Sequence, residues 1–229
     1  MNSKDWVFNE RSMGTGRHFE TTVAEIDTLL IGDSVVSGGN PYRQAERLGP
    51  QLENAAGGRV WPISANSWSV SNELAYLRAN PDVVAKVDRL VFVWNSSDLR
   101  LASEWRTELT HPTHRPTWGL AYLVRRRLFS PYIAPRPDVD ALPLWREFLA
   151  STGKPVTIVA FPSRAEAADP GLRQRRLIDQ VGRLRIDRVK LIDIGADSRW
   201  GPSFYRDDLH PSPAGTGLLA QIVAENGSR

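Results

Sequence analysis

Two short motifs at opposite ends of the chain carry residue types that act in nucleophilic catalysis. Gly-Asp-Ser at 32–34 follows the apolar run 26–31, so Ser34 stands on a turn directly after a candidate strand. A nucleophilic serine needs such a position, because its hydroxyl must be exposed and its backbone N–H must be free to hold an oxyanion. In Asp-Asp-Leu-His-Pro at 207–211, Asp207 can turn back to hold the ring nitrogen of His210 that faces away from the serine. The two motifs therefore predict a triad of Ser34, His210 and Asp207.

Short apolar runs alternate with helical stretches along the chain and would position these motifs. The predicted strands cover residues 26–31, 60–65, 89–95, 155–161 and 189–194, and the predicted helices cover 44–54, 72–79, 172–184 and 213–225. Strands that are apolar throughout and alternate with helices favour a parallel sheet covered on both faces, which is a three-layer α/β/α domain. Ligands bind such a sheet beyond the carboxyl ends of its strands, where Ser34 lies.

The composition limits the protein to a globular chain without thiol chemistry. With 229 residues, the chain fits one domain with an insertion better than two domains. We assign residues 1–24 to a polar leader and residues 25–229 to a single domain, with an insertion at about 101–140. The absence of cysteine excludes a disulfide framework, a thiol nucleophile, a cysteine-bound zinc and an iron–sulfur cluster.

The charge and hydropathy of the chain limit the kinds of partner that it is expected to bind. The formal net charge of +3 comes without the clustered basic stripe of a nucleic-acid binder, so we expect no nucleic-acid partner. The polar N-terminus resembles neither a signal peptide nor an anchor. No apolar run approaches the ~20 residues that cross a bilayer, so we expect a soluble, cytoplasmic protein without a transmembrane segment.

Taken together, the two motifs resemble the SGNH/GDSL hydrolase family, whose members are serine esterases and acyltransferases. Gly-Asp-Ser alone has little value, but its pairing with Asp-x-x-His-Pro at the far end of an alternating α/β chain is specific. The resemblance spans residues from about 26 to 225. It implies a flavodoxin-like fold with five parallel strands, and a reaction that requires no metal or organic cofactor.

The same resemblance implies an oxyanion hole, and this sequence departs from the family pattern at two of its positions. The family has a glycine after the second strand, where this chain has Ser67, and an asparagine after the third, where it has Ser97. A backbone N–H survives the first change if the turn tolerates a side chain. Asn95 precedes Ser97 by two residues, about 6.6 Å along an extended strand. We expect the amides of Ser34 and Ser67 to hold the oxyanion, helped by Asn95 or Ser97.

A carbohydrate substrate is suggested by the residues after the second strand. Ser67-Trp68, with Asn72 further on, is similar to relatives that act on acyl groups of bacterial exopolysaccharides. Asp33, Trp68 and Trp200 are the candidate substrate contacts, because an exposed indole makes a platform for a sugar ring. Trp94 is a third indole near a strand end. The alternative for all three tryptophans is packing in the core or at its rim.

Two features of the 101–140 insertion allow alternatives. His111 and His114 could ligate a metal, but without a third ligand in view we expect a solvated loop and no metal. Residues 118–129 combine large apolar side chains with Arg125–127. We expect a helix packed on the sheet with its basic edge in water; the alternative is docking on a membrane surface or a membrane-associated complex.

These observations predict an SGNH-type serine ester hydrolase that removes acyl groups, above all acetyl, from a carbohydrate such as an exopolysaccharide, or from another small ester. Two alternatives remain open. The acyl-enzyme could be intercepted by a sugar hydroxyl, which makes the protein an O-acyltransferase. The two departures at the oxyanion hole instead favour a weakly active or inactive scaffold of a polysaccharide synthesis complex.

Overall fold

Five apolar segments form one parallel sheet in the computed structural model, which describes residues 6–39, 42–99, 114–129, 140–184 and 189–227. The strands are β1 (Asp27–Gly32), β2 (Arg59–Ser64), β3 (Arg89–Trp94), β4 (Val156–Ala160) and β5 (Val189–Asp193). Their order in the sheet is β2-β1-β3-β4-β5, and all pairs are parallel. The five predicted strands are confirmed, with ends that differ by one residue.

Ten α-helices lie in the described part of the chain. They are α1 (Ser34–Ser37), α2 (Leu48–Ala56), α3 (Val70–Ala79), α4 (Pro81–Lys86), α5 (Gly119–Phe129), α6 (Leu142–Ser151), α7 (Arg164–Ala168), α8 (Pro170–Arg173), α9 (Asp179–Leu184) and α10 (Pro213–Gly227). A π-helical turn, Gln174–Ile178, joins α8 to α9, so the single helix predicted over 172–184 is a composite.

Successive strand residues enter two separate hydrophobic clusters, one on each face of the sheet. In β3, Phe92 and Trp94 belong to a cluster that also contains Trp145 of α6. Val91 and Val93 belong to the other cluster, which contains residues of α2 and α10. This alternation is what a parallel strand buried on both faces requires. The predicted three-layer α/β/α architecture is confirmed.

The topology brings the two predicted motifs to one edge of the sheet. The chain passes from β1 to β2 on one side and then to β3 on the other, so β1 lies at the switch point of the sheet. Ligands of open α/β sheets bind beyond the carboxyl ends of the strands at such a point. Ser34 begins α1 immediately after β1 and therefore lies there.

The described part of the predicted leader packs against the sheet domain, and much of the predicted insertion lies outside the described residues. Met13 is fully buried in the cluster that contains Trp61, so the described part of residues 1–24 packs against the sheet domain. In the insertion, residues 101–113, including His111, and residues 130–139 lie outside the described residues. Among the helices described, none is long and apolar enough to span a membrane.

Helix α5 contradicts the expectation of a helix packed on the sheet. Its described side chains are exposed apart from Tyr122, which is half-buried. Large apolar residues of α5 therefore face solvent together with the arginines. The amphipathic pattern correctly predicted a helix, but it did not reveal that the sheet offers this helix no apolar surface.

Candidate active site

Ser34 is fixed by the tight turn that joins β1 to α1. A Cβ on Gly32 would lie only 2.6 Å from Cγ2 of Val36, so this turn admits no side chain there without rearrangement. The carboxylate of Asp33 caps α1 by accepting a hydrogen bond from the N–H of Val35 at 2.8 Å. The helix ends after one turn at Gly38, which has φ of +73°. Ser34 is thereby held at the first position of a short, doubly capped helix.

The imidazole of His210 lies between Ser34 and Asp207. Its Nε2 is 2.8 Å from Oγ of Ser34, and its Nδ1 is 3.0 Å from each carboxylate oxygen of Asp207. The structure thus brings together the three residues predicted as a triad. An Nδ1–H donating to Asp207 leaves the Nε2 lone pair directed at the serine hydroxyl. The single hydroxyl proton has a second acceptor in Asp33, but at the longer distance of 3.3 Å.

Asp207 organises the turn that carries His210 as well as the imidazole. Its Oδ1 accepts the backbone N–H groups of Leu209 and His210 at 3.0 and 2.7 Å. Partial burial opposes ionisation, but the hydrogen bonds from His210 and Leu209 and the nearby imidazole lower the pKa of the Asp207 carboxyl well below its usual range. Asp207 is therefore a carboxylate at any pH at which the fold is expected to persist.

Contacts from distant parts of the chain hold the same turn against the sheet edge. The buried Tyr42 donates its hydroxyl to the carbonyl of Pro211, and Tyr205 forms an antiparallel bridge with Pro211. The N–H of Arg206 donates to the carbonyl of His210 at 2.8 Å. The sequence analysis missed Tyr42, because no local pattern links it to a histidine so far along the chain.

The buried side-chain amide of Asn95 links the turn that carries Ser34 to the loop after β3. Asn95 donates its Nδ2 to Oδ2 of Asp98 at 2.7 Å and to Oδ2 of Asp33 at 3.2 Å. Asp98 also accepts the N–H of Asn95 at 2.9 Å. All three residues are buried. The carboxylate that caps α1 is therefore held in place by the loop that follows the neighbouring strand.

This network concentrates titratable groups behind the candidate nucleophile. Burial raises the pKa of Asp33, and the hydrogen bond from the Val35 N–H partly offsets this rise. Burial, together with the charges of Asp33 and Glu73, raises the pKa of Asp98 well above its usual value. Burial raises the pKa of Glu73 to about 8, although the indole N–H of Trp94 donates to it at 2.6 Å. Three carboxyl groups this close together in a dry region cannot all ionise without cost.

Ser67 occupies a backbone conformation that suits glycine. Its φ is +66°, in the left-handed region, and the only other described non-glycine residue with positive φ is Ser12. In the part of the chain that the structure covers, the N–H of Ser67 makes no backbone hydrogen bond. A 3.0 Å hydrogen bond between Ser37 and Asn66 holds this turn beside α1. The turn thus holds a serine in a backbone conformation that glycine adopts more readily.

The expectation that Asn95 supplies an oxyanion donor is wrong for this structure. Both hydrogens of its amide are directed at the carboxylates of Asp98 and Asp33, so neither is left for a substrate. The hydroxyl of Ser97 donates to Oδ1 of Asn95 at 2.5 Å, and the Ser97 N–H donates to the same oxygen at 2.8 Å. Ser97 is exposed, and its hydroxyl can rotate toward a ligand only by breaking that contact.

Two of the three predicted substrate contacts, Asp33 and Trp200, are buried in this structure, as is Trp94. Asp33 is buried, and its oxygens accept bonds from Val35, Ser34 and Asn95, so no substrate reaches it. Trp200 is buried with its indole N–H donated to Tyr205, and Trp94 is fully buried. The strand-end positions indicated exposure, but both indoles point into the core. Trp68 is half-buried and packs beside Tyr76 with ring centroids 6.0 Å apart.

Asn72 has a structural partner close by. Its Oδ1 accepts both the N–H and the hydroxyl of Ser69, at 3.1 and 3.0 Å, in a capping box that starts α3. Such a box satisfies backbone groups that a helix start leaves free. Asn72 therefore fixes the helix that follows the Ser67 turn. In the described residues, no cluster of three His, Asp or Glu side chains has the geometry to hold a metal ion.

The chain resembles known proteins in its fold. No protein-family model and no curated protein sequence matches the chain. A protein of Slackia heliotrinireducens assigned to the SGNH hydrolases has a TM-score of 0.53 at 18% identity, over 89% of this chain and 99% of its own. A lipase/acylhydrolase from Enterococcus faecalis has a TM-score of 0.53 at 15% identity, over 87% and 94%.

A third similar structure is a two-domain esterase active on acetylated mannans. Its TM-score is 0.51 at 13% identity, over 87% of this chain and 47% of that chain. Identities this low report on the fold alone. The chain therefore has the fold of the SGNH/GDSL hydrolases.

Proposed function

We propose that the protein is a serine ester hydrolase of the SGNH type, with Ser34 as nucleophile, His210 as general base and Asp207 as the residue that orients His210. The observation that carries this proposal is the 2.8 Å contact of Nε2 of His210 with Oγ of Ser34, together with the 3.0 Å contacts of Nδ1 with Asp207. Both distances lie within hydrogen-bond reach, as proton transfer requires.

The proposed reaction has two halves that use the same groups. Ser34 Oγ attacks the ester carbonyl carbon while its proton passes to Nε2 of His210. The tetrahedral intermediate then collapses to acyl-Ser34, and His210 returns the proton to the leaving alcohol oxygen. In the second half His210 takes a proton from a water molecule, whose oxygen attacks the acyl carbon. The bond from that carbon to Ser34 Oγ then breaks, His210 returns the proton to Oγ, and the acid leaves.

Backbone groups are the proposed holders of the oxyanion. The amides of Ser34 and Ser67 are the donors, because Asn95 is occupied by carboxylates and Ser97 by Asn95. Loss of one oxyanion donor typically lowers kcat by 10²–10³. With its third donor engaged elsewhere, the enzyme is expected to turn over simple esters slowly.

The proposed substrate is an acylated, above all acetylated, carbohydrate. Support comes from the similar two-domain esterase, which is active on acetylated mannans, and from Trp68, a partly exposed indole on the turn after β2. Transfer of the acyl group to a sugar hydroxyl uses the same acyl-Ser34 and remains the alternative outcome of the second half-reaction.

A fluorophosphonate probe tests the nucleophile directly. We expect mass spectrometry to locate the label on Ser34, and we expect Ser34→Ala to lose both labelling and the hydrolysis of aryl acetates. The matched control is Ser151→Ala, on the exposed end of α6, which should keep both. A label on another serine, or full activity of Ser34→Ala, would contradict the assignment.

The products from an acetylated mannan separate the two outcomes of the acyl-enzyme. Release of acetate in proportion to substrate consumed indicates a hydrolase, whereas acetate appearing on an added acceptor sugar indicates an acyltransferase. If no ester of either kind is turned over in a Ser34-dependent way, the protein is a scaffold that retains the fold.

A further inference from the structure

Helix α5 and the residue before it expose an unusual amount of large apolar side chain. The exposed fractions are 77% for Trp118, 78% for Leu120, 59% for Leu123, 52% for Val124 and 62% for Leu128. Positions 120, 124 and 128 recur every four residues and lie on one face of the helix; Arg127 lies at the edge of this face, and position 123 lies beyond Arg127. In a globular protein such a face is normally buried against another element.

The same segment is uniformly basic. Residues 114–129 contain Arg115 and Arg125–127, with no aspartate or glutamate. Within the described residues, no carboxylate forms an ion pair with Arg125, Arg126 or Arg127. The long aliphatic stems of arginines beside an apolar face allow their guanidinium groups to reach a polar layer above it. The surface therefore fits a partner that has an apolar interior covered by an anionic layer.

The surface of an anionic lipid bilayer has this chemistry. Leucine and valine gain little from a polyanion such as RNA or an acidic polysaccharide, because neither removes them from water in bulk. A bilayer accepts the leucines among its acyl chains, the indole at its interface and the guanidinium groups among its phosphates. A second copy of α5 would match the apolar face but would place one cluster of arginines beside another.

We propose that Trp118 and α5 form a peripheral docking surface for membranes that contain anionic phospholipids. The helix lies in the plane of the interface with Leu120, Val124 and Leu128 inserted. Arg125 and Arg127 flank that face and reach the headgroups, and Arg126 lies on the side that faces water. This assignment is independent of the esterase proposal, and Ser34→Ala should bind membranes as the unaltered chain does.

Sedimentation with vesicles tests the surface on the full chain. We expect binding to phosphatidylcholine vesicles containing about 30 mol% phosphatidylglycerol, and weaker binding to phosphatidylcholine alone. Raising the salt from about 0.1 M to about 1 M should weaken the binding, because it screens the arginines. Equal binding to both vesicle types, or binding to neither, would overturn the proposal.

Two variants with matched controls locate the binding on α5. Replacing Arg125, Arg126 and Arg127 by Ser should weaken partitioning roughly a hundredfold, since each arginine near an anionic surface contributes about a factor of five. Its control replaces the exposed Arg175, Arg176 and Arg183 by Ser, which removes the same charge from α9 and the π-helical turn before it. Equal losses in the two triple variants would show that net charge alone is responsible.

The apolar contribution has its own variants. Leu120→Ser combined with Leu128→Ser should weaken partitioning roughly tenfold. The control combines Val23→Ser with Ile26→Ser, which are also exposed but lie far from α5 in sequence. Light scattering of the unaltered chain should give the mass of a monomer. A dimer that dissociates in the leucine variant would assign the surface to a second copy and overturn the proposal.

Discussion

His210 can serve as a base only while its Nε2 is unprotonated, so the proposed mechanism has a definite dependence on pH. Because the pKa of Asp207 lies well below its usual range, this carboxylate stays ionised throughout the range in which activity is measured. Acidification should lower kcat/KM, because an imidazolium cannot accept the proton of Ser34. A pH profile on an aryl acetate, recorded with the fold monitored by circular dichroism, measures this directly.

Substitution of His210 completes that prediction. We expect His210→Asn to lower kcat by at least about 10³ while the protein stays folded, because the other acceptor near Ser34 Oγ, Asp33, lies at 3.3 Å and already accepts hydrogen bonds from Val35 and Asn95. The control is His18→Asn, whose ring lies on the surface beside Glu10 and should leave kcat unchanged. Near-normal turnover by His210→Asn, or a profile that persists in it, would disprove the role of His210 as base.

The loop after β3 offers a second test at the level of single residues. The hydroxyl of Ser97 donates to Asn95, so Ser97→Ala should change kcat by less than about threefold if backbone amides alone hold the oxyanion. Asn95→Ala removes the link between Asp33 and Asp98, and we expect it to cost activity and stability together. A loss of roughly a hundredfold in Ser97→Ala would instead show that this hydroxyl turns toward the substrate.

In the turn after β2, Ser67 adopts a backbone conformation that favours glycine. A non-glycine residue in the left-handed region costs about 1 kcal/mol, so Ser67→Gly should raise the free energy of unfolding by roughly that amount. The variant keeps the Ser67 N–H, and we expect its kcat to stay within about threefold. Urea unfolding together with aryl acetate kinetics measures both effects.

Ser12→Gly is the matched control for that turn. Its φ of +59° places it in the same backbone region, outside the candidate active site. It should gain similar stability and leave kcat unchanged. A large loss of activity in Ser67→Gly alone would indicate that the serine side chain, and not only its N–H, takes part in the reaction.

The elements differ in how far the sequence could predict them. The strands were predictable to within a residue, because uninterrupted apolar runs such as that of β3 have few alternatives in a chain of this composition. The contact of Asp207 with His210 was predictable because only three residues of chain separate them. The loop after β3 was not, because the partners of Asn95 come from a different strand end. The exposure of α5 was equally hidden, since an amphipathic pattern does not name the surface that covers it.

Burial of acidic groups affects the molecule as a whole, because the sheet domain contains three such carboxyls close together. Asp33 and Asp98 are bridged by Asn95. Glu73 accepts a hydrogen bond from Trp94 through one oxygen, and its other oxygen, Oε1, has no hydrogen-bond partner among the described residues. Folding therefore raises the pKa of each of these groups. Such groups bind more protons in the folded chain than in the unfolded chain, so the fold loses stability as they ionise.

Glu73 gives this effect a measurable size. Its pKa rises from 4.5 to about 8 on folding, so the free energy of unfolding should fall as the pH rises from about 4.5 to about 8. Glu73→Gln removes the ionisation and should stabilise the protein at pH 9 by about 2 to 5 kcal/mol relative to its effect at pH 5, since each pKa unit corresponds to about 1.4 kcal/mol. Urea unfolding at the two pH values measures the difference. Glu147→Gln, on the surface of α6, should change the unfolding free energy by less than about 0.5 kcal/mol at both. If Glu73→Gln has the same effect at pH 5 and pH 9, Glu73 is already ionised in the folded protein, and its burial is less complete than the structure shows.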